Sequence, residues 1–325
     1  MTHLDSRGTP VRAICYDTSV KIVCSGELYA DIDVYAGVIA YAELLRAQGH
    51  EAMAVITPAP NGSVPSLVQQ WPVELARHYV PSADDSFILV DVSDPAHFEH
   101  FVQVGRVAEV IDHHIGFEEY WRDRIGAEAR IEFIGAACTL VFEAWAMSGL
   151  ADQMSTVSAR LLACGILDNT LNFTAKATSE RDEAAYAQLL LLGGLDADWP
   201  ATYFSACEEE IAKDAVGAIE NDSKILKLRT FDDEVLVGQV ALWDGKALLR
   251  SNQSAFEKAF SAKRADWFIN LISIGEKKSY FLANNPAVKQ RLANLLDVRF
   301  TGNMAVSTRV WLRKEIIKQD HEGGL

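Results

Sequence analysis

Short runs of apolar residues alternate with longer segments of helical periodicity through the first half of the chain. The runs have the length and composition of buried strands, and they predict strands at residues 13–16, 20–24, 52–56, 87–91, 108–111 and 130–134. Apolar residues at helical spacing predict helices over residues 33–48, 136–147, 157–167 and 179–192. This alternation predicts an α/β domain with a doubly wound, mainly parallel sheet.

The pattern changes after two consecutive glycines, Gly193 and Gly194. Residues 208–226 predict one long charged helix or two broken ones, and residues 290–296 predict another helix. Residues 234–243, 267–274 and 279–283 have the pattern of strands. We therefore predict a larger domain over residues 1–200 and a smaller C-terminal α+β domain over residues 205–325.

Composition narrows the class of protein. Hydrophobic residues make up 49% of the 325 residues, which is enough for packed cores. There is no uninterrupted apolar run of about 18 residues and no signal-peptide pattern, so we expect a cytoplasmic protein without a membrane span. Five dispersed cysteines without a CxxC pair are typical of reduced thiols. The net charge of −15 disfavours long nucleic acids but permits a small anionic substrate held by local cations.

Acidic and imidazole side chains recur at the ends of the predicted strands and apolar segments. Open α/β sheets hold their ligands at the carboxyl ends of their strands. Oxygen ligands combined with imidazole suit Mn²⁺ or Mg²⁺, and a carboxylate shared by two metals suits hydrolysis of phosphate esters or anhydrides. The set is Asp31, Asp33, Asp91, Asp112, His113, His114 and Asp168.

Each of these signals also has a purely structural interpretation. Asp31 and Asp33 precede a helix, where acidic residues stabilise the N-terminus without a metal. His113 and His114 are adjacent, so in an extended segment they point to opposite sides, and we expect one on metal and the other on substrate. Two packed or solvent-facing histidines are the alternative. The small residues of segment 135–139 fit either anion binding or close packing.

Basic residues in the second half suggest a phosphate clamp. Arg313 and Lys314 follow the apolar run 310–312, and Lys224 is a similar candidate. A solvated basic surface is the alternative for all three. The chain has no GxGxxG or GxxxxGK[ST] loop, so the sequence offers no support for a nucleotide cofactor.

Taken together and in this order, these residues resemble the DHH phosphoesterase superfamily. The ordered motif runs from the pair Asp31 and Asp33, through Asp91 and the Asp-His-His tripeptide 112–114, to segment 165–173. Within the superfamily the chain is most similar to the branch of manganese-dependent (family II) inorganic pyrophosphatases and exopolyphosphatases, which segments 135–139, 178–182, 222–224 and 313–314 also fit. The Gly-Gly-Gly-His motif of the oligoribonuclease and cyclic-dinucleotide branch is absent from the sequence.

The resemblance implies a site with two ions, Mn²⁺ or Mg²⁺, bridged by Asp91. It assigns Asp31 to one ion, and Asp33, His113 and an acid near residue 168 to the other. A hydroxide bridging the metals would attack phosphorus in line. The residues implied to hold phosphate oxygens are His114, Lys224, Arg313 and Lys314, and the catalytic set comprises Asp91, His114, Arg313 and Lys314.

Two positions depart from the pyrophosphatase pattern. Glu27 stands four residues before Asp31, where the pattern has a histidine. A glutamate there would still bind a hard cation, but it adds negative charge. Asn169 occupies the position of the family's acid, with Asp168 one residue earlier, so either residue is a candidate ligand and Asn169 is also a candidate substrate contact.

The leading hypothesis is a two-metal hydrolase of phosphoanhydride or phosphoester bonds in a small, pyrophosphate- or polyphosphate-like substrate. The rival is a phosphodiesterase for short oligonucleotides or nucleotide phosphates, with Trp267 or Trp311 as a platform for the base. The non-enzyme alternative is a degenerate, metal-poor relative with a binding or regulatory role. The sequence leaves the oligomeric state open, with a homodimer as one alternative.

Overall fold

The computed structural model describes residues 19–28, 30–231 and 234–322, so the predicted strand 13–16 lies outside the described residues. The strands in this part of the chain are β1 (Lys21–Cys24), β2 (Ala52–Ala54), β3 (Ser86–Val90), β4 (Val107–Asp112), β5 (Ala129–Ile131), β6 (Lys224–Leu226), β7 (Val235–Leu242), β8 (Trp267–Ser273), β9 (Lys278–Leu282), β10 (Phe300–Thr301) and β11 (Met304–Ser307). The α-helices are α1 (Ile32–Ala47), α2 (Ser66–Gln69), α3 (Glu118–Ile125), α4 (Ala137–Met147), α5 (Thr156–Asn169), α6 (Glu180–Gly193), α7 (Trp199–Lys213), α8 (Ala215–Asn221), α9 (Gly245–Lys263), α10 (Pro286–Leu296) and α11 (Arg313–Glu322).

The first sheet contains β1 to β5 in the order β2-β1-β3-β4-β5, and all of its pairs are parallel. Its central strands are almost wholly apolar because helices cover both faces. Helix α1 lies very close to β3, since a Cβ on Gly37 would be 2.7 Å from Val90 Cγ1. The carboxyl ends of β1, β3 and β4 therefore meet at one edge of the sheet, beside the first turn of α1.

The second sheet contains β6 to β11 in the order β10-β11-β9-β8-β7-β6. Only β7 and β8 pair in parallel among its described strands, and the other pairs are antiparallel. The predicted fold class, a mainly parallel α/β sheet followed by a smaller α+β unit, is confirmed.

Several boundaries in the second half differ from the prediction. The segment 208–226 contains two helices and a strand, because Pro200 favours an earlier start for α7, Asp214 caps α8, and β6 begins at Lys224. The run 310–312 is not a strand and leads directly into α11. Helix α9, capped by Asp244, was not predicted.

Helix α7 connects the two sheets. Tyr203 and Phe204 belong to the core of the first sheet, whereas Ile211, two turns later, packs against the core beneath the second. Phe204 also stacks on Trp243, with ring centroids 6.0 Å apart. Ile272 and other residues from the end of β8 complete the first core. The predicted boundary near residue 205 thus falls inside a helix that both cores share. In the described part of the chain, no helix is long and apolar enough to cross a membrane.

Candidate active site

Asp91 directly follows β3 and turns the chain out of the sheet. Its backbone N–H still donates to the Ile111 carbonyl at 2.8 Å, but its φ of 61° lies in the left-handed region. Aspartate and asparagine adopt this conformation more readily than most residues. The Asp91 side chain is buried, and its Oδ1 has no hydrogen-bond partner among the described residues. An unpaired buried carboxylate oxygen is costly, so this atom is a strong candidate for binding a cation.

His113 faces Asp91 from the end of β4. Its Nδ1 lies 3.1 Å from the Ile134 carbonyl, which can only accept, so Nδ1 carries a proton. Its Nε2 lies 3.3 Å from Asp91 Oδ1 and 3.8 Å from Asp33 Oδ2. Burial would lower the pKa of His113, but the contact with Asp91 outweighs it and raises the pKa to about 10. A backbone carbonyl on one ring nitrogen, with the other facing carboxylates, is the usual arrangement of a metal-binding histidine.

Asp112 orients both histidines. Its Oδ1 accepts hydrogen bonds from the backbone N–H groups of His113 at 2.7 Å and His114 at 3.0 Å, and lies 2.9 Å from His114 Nδ1. This last hydrogen bond raises the pKa of His114, whose side chain is 65% exposed. Burial would raise the pKa of Asp112, but the bonds from His114 lower it. This role of Asp112 was not predicted from the sequence. An aspartate that accepts from the next two backbone N–H groups is, however, a local motif that the sequence can suggest.

Asp31 and Asp33 have the structural role that their position suggested, and they also lie at the site. Asp31 caps α1, accepting from Val34 N–H at 3.0 Å. Asp33 accepts from the backbone N–H groups of Ala137 at 2.9 Å and Cys138 at 2.8 Å, at the start of α4. Two parts of the fold therefore hold Asp33 in place: its own helix and the one it caps.

Asp168 and Asn169 lie in the last turn of α5. The Tyr203 hydroxyl lies 3.3 Å from Asp168 Oδ1 and donates to the Ser63 carbonyl at 2.7 Å. After α5, residues 171–173 take φ values of 47°, 51° and 62° although none is a glycine. Consecutive left-handed residues are strained and persist only where surrounding structure holds them, which is common beside functional sites.

The pKa values of three of these carboxyl groups are raised, first by burial and then by a neighbouring carboxylate. Burial raises the pKa of Asp91 to about 7, and the charge of Asp33 adds to the effect. Burial and the charge of Asp31 likewise raise the pKa of Asp168 to about 7. The pKa of Asp31 is raised by burial and then by the charge of Asp33. Clustered acids of this kind repel one another unless a cation neutralises them.

The geometry of one group fits a metal ion. Asp91, His113 and His114 each offer a ligand atom, and these atoms all lie within 4.8 Å of one another. One oxygen and two imidazole nitrogens suit Mn²⁺ and similar divalent ions. Glu27 lies outside this group: it is exposed, and its backbone N–H donates to the His97 carbonyl at 3.0 Å.

A cleft of about 620 Å³ brings the two sheets' candidate residues together. Arg313 is largely buried there, because Asp222 binds its guanidinium through both the backbone carbonyl and the carboxylate, the latter at 2.6 Å. Asp222 lies far from Arg313 in sequence, so the pairing could not be read from spacing. The candidates lining the cleft are His113, His114, Asp168, Asn169, Lys224, Arg313 and Lys314.

Other sequence candidates have structural roles. Three N–H groups of the small segment 135–139 are already bound to carboxylates: Asp182 accepts from Gly135 N–H at 3.1 Å, and Asp33 accepts from Ala137 and Cys138. A Cβ on Gly135 would be 2.7 Å from Asp182 Oδ2, so close packing explains the glycine. Trp267 and Trp311 are 0% and 5% exposed, so the expectation that either is a platform for a base is wrong.

Comparison with known proteins agrees with this geometry. A sequence model described as "DHH family, N-terminal domain" matches residues 21–166. This part of the chain is similar to the DHH family. It is 26% identical over 304 residues to a Bacillus licheniformis protein named probable manganese-dependent inorganic pyrophosphatase, covering 91% of this chain and 96% of the relative. A Bacillus cereus protein of the same name is 27% identical over 260 residues, covering 78% and 82%.

A solved structure has the same fold as this chain. It is a Methanococcus jannaschii protein titled "putative family II inorganic pyrophosphatase", with a TM-score of 0.59 and 18% identity. The superposition covers 93% of this chain and 99% of that one. The resemblance therefore extends over both sheets, beyond the segment that the family model matches.

Proposed function

We propose that the protein is a metal-dependent phosphohydrolase that cleaves a P–O bond in a small pyrophosphate- or polyphosphate-like substrate. One observation carries the proposal: the group formed by Asp91, His113 and His114 adjoins the same cleft as Lys224, Arg313 and Lys314. Candidate ligands for a metal cation and basic ligands for phosphate thus lie together in one site of an otherwise acidic protein.

The acids support two ions rather than one. Asp91 is the candidate bridge. Its buried Oδ1 accepts no hydrogen bond among the described residues, and the candidate metal ligand His113 lies beside it, with Nε2 at 3.3 Å. Asp31 would hold one ion, and Asp33, His113 and Asp168 the other. When bound, the ions would lower the pKa of a water molecule and neutralise phosphate charge. Removing the repulsion among these carboxylates would stabilise the fold at the same time.

The remaining residues bind and orient the phosphate. Asp112 orients the exposed imidazole of His114 through the contact with Nδ1, so that this ring lines the cleft. Asp222 fixes the Arg313 fork while leaving other guanidinium N–H groups for phosphate oxygens. Lys224 and Lys314 add compact charges from the same wall. Fixing the substrate between these groups and the metals supplies proximity and orientation.

The test is phosphate release from pyrophosphate and tripolyphosphate with Mn²⁺ or Mg²⁺, in wild type, Arg313→Ala and Arg309→Ala. Arg309 is the matched control, because it precedes the same helix but stacks on Trp311 and does not line the cleft. We expect Arg313→Ala to lower kcat/KM about 100-fold or more, from loss of a charge-assisted bidentate contact, at unchanged metal content. Equal loss in both variants, or no metal-dependent release by wild type, would contradict the proposal.

A further inference from the structure

A second cavity adjoins the candidate metal group. Its volume is about 380 Å³, which is within the range of sites for small organic molecules. Asp91 and His114 line this cavity, and His114 and Ile115 also line the phosphate cleft. A substrate held at His114 would therefore be next to both binding regions.

The walls of this second cavity are mainly apolar. Val34, Val92 and Phe117 form part of its lining, and Ile115 stands at its rim with 59% of its surface exposed. Exposed large apolar side chains around a concave site are typical of places where an organic ligand binds. Inorganic pyrophosphate has no group that would use such a surface.

The charges of the two regions differ in sign. Asp91, Asp94 and Asp112 line the second cavity, and none of its described lining residues is lysine or arginine. The cleft, in contrast, has three basic residues on its wall. The described lining of the second cavity offers no lysine or arginine to a second phosphate group, whereas an uncharged group needs none.

A buried hydroxyl beside this cavity has no partner among the described residues. Ser25 lines the cavity and is only 3% exposed, and its Oγ has no hydrogen-bond partner among the described residues. Buried hydroxyl groups are normally paired, so an unpaired one calls for an explanation. A polar substituent on a bound organic group would satisfy it.

We propose that the second cavity binds the uncharged, mainly apolar organic group of a phosphate ester, while the cleft binds its phosphate. This rests on the proposed phosphohydrolase function and adds phosphate esters of such groups to the pyrophosphate- or polyphosphate-like substrates proposed above. In the reaction the bond between phosphorus and the ester oxygen breaks, and the oxygen of a water molecule bonds to phosphorus. The ester oxygen leaves with a proton from that water, giving an alcohol and inorganic phosphate.

The test compares kcat/KM for phenyl phosphate, choline phosphate and pyrophosphate in the metal-loaded wild type, His97→Trp and His100→Trp. His97 lines the cavity and is exposed, so a tryptophan there would narrow the cavity at little risk to folding. His100 is equally exposed, lies three residues later and does not line the cavity. We expect wild type to cleave phenyl phosphate. We also expect His97→Trp to lower the ratio of kcat/KM for phenyl phosphate to that for pyrophosphate at least tenfold, mainly through KM, and His100→Trp to leave it unchanged.

The outcomes separate the two proposals. Release of phosphate from pyrophosphate but not from phenyl phosphate overturns the organic-group assignment and leaves the phosphohydrolase function standing. An unchanged ratio of kcat/KM for phenyl phosphate to that for pyrophosphate in His97→Trp overturns the assignment as well. So does a loss of choline phosphate cleavage alone in His97→Trp, because it would mean that the second cavity binds a cationic group. Release from none of the three substrates with either metal overturns the phosphohydrolase proposal itself.

Discussion

Asp91 should destabilise the metal-free protein, and replacing it by asparagine should reveal by how much. Asparagine has nearly the same shape and tolerates the φ of 61° at this position, so the change removes charge with little backbone strain. Burial and the charge of Asp33 raise the pKa of Asp91 from 3.8 to about 7. Because each pKa unit corresponds to about 1.4 kcal/mol, ionising Asp91 costs the folded state about 4 kcal/mol.

The sign of the pH dependence follows from the direction of the shift. A carboxyl whose pKa is raised on folding contributes stability that is fully present below its unfolded pKa and is lost as pH rises through its folded pKa. The stability of the metal-free wild type should therefore fall between about pH 4 and pH 7, and this component should be absent from Asp91→Asn. At pH 8 in chelator the variant should be more stable by about 1 to 4 kcal/mol, the lower end allowing for the lost contact with His113.

With Mn²⁺ bound, we expect the wild type to be more stable than Asp91→Asn. A ligand that binds only the folded state adds about 2.7 kcal/mol at 100 times its Kd, and Asp91→Asn should lose most of this increment together with its bound ions. Urea unfolding at pH 5 and pH 8, with EDTA or Mn²⁺, measures all of these quantities, and Asp123→Asn on the exposed face of α3 is the control. Wild type and Asp91→Asn with the same pH slope in EDTA and the same response to Mn²⁺ would refute the reasoning.

Two further variants test the metal preference and the scaffold. Glu27→His places at this position the imidazole of the pyrophosphatase pattern, so we expect higher activity with Mn²⁺ or Co²⁺ relative to Mg²⁺; an unchanged activity ratio would mean that position 27 does not reach the ions. Asp182→Ala removes the acceptor for Gly135 N–H, the Thr139 hydroxyl, and the backbone and hydroxyl of Ser179. We expect the free energy of unfolding, measured in urea, to fall by about 3 to 5 kcal/mol, because buried donors lose their partner. A fall no larger than that of the surface control Asp196→Ala would contradict this.

Much of the first sheet could be predicted because its signals are local. Helices α1, α4, α5 and α6 lie within two residues of the predicted ranges, since each is a long run rich in apolar and helix-favouring residues. Helix α9 was missed because four successive polar residues, 251–254, interrupt its apolar stripe. Its buried Leu249, Phe256 and Phe260 reveal a helix only once the second sheet supplies the surface they cover.

The candidate site was predictable in residue types more than in contacts. Acidic residues at strand ends are visible in the sequence, and the fold places Asp91 and His113 side by side because parallel strands end at one edge. The pairing of Asp222 with Arg313 joins residues that only tertiary structure brings together. The burial of Trp267 and Trp311 could not be predicted either, because residue type alone does not distinguish a tryptophan in a core from one at a binding surface.

The stacked rings of Phe204 and Trp243 bear on how this chain can be divided. Because helix α7 contributes to both cores, and Ile272 from the second sheet completes the first, neither half has a finished surface of its own. A fragment cut near residue 200 would lose aromatic side chains that cover the first core and would leave apolar surface exposed to water. The two halves, which carry the proposed metal ligands and the proposed basic phosphate ligands, are therefore not interchangeable modules, and exchange with a relative would have to carry both sides of this shared packing together.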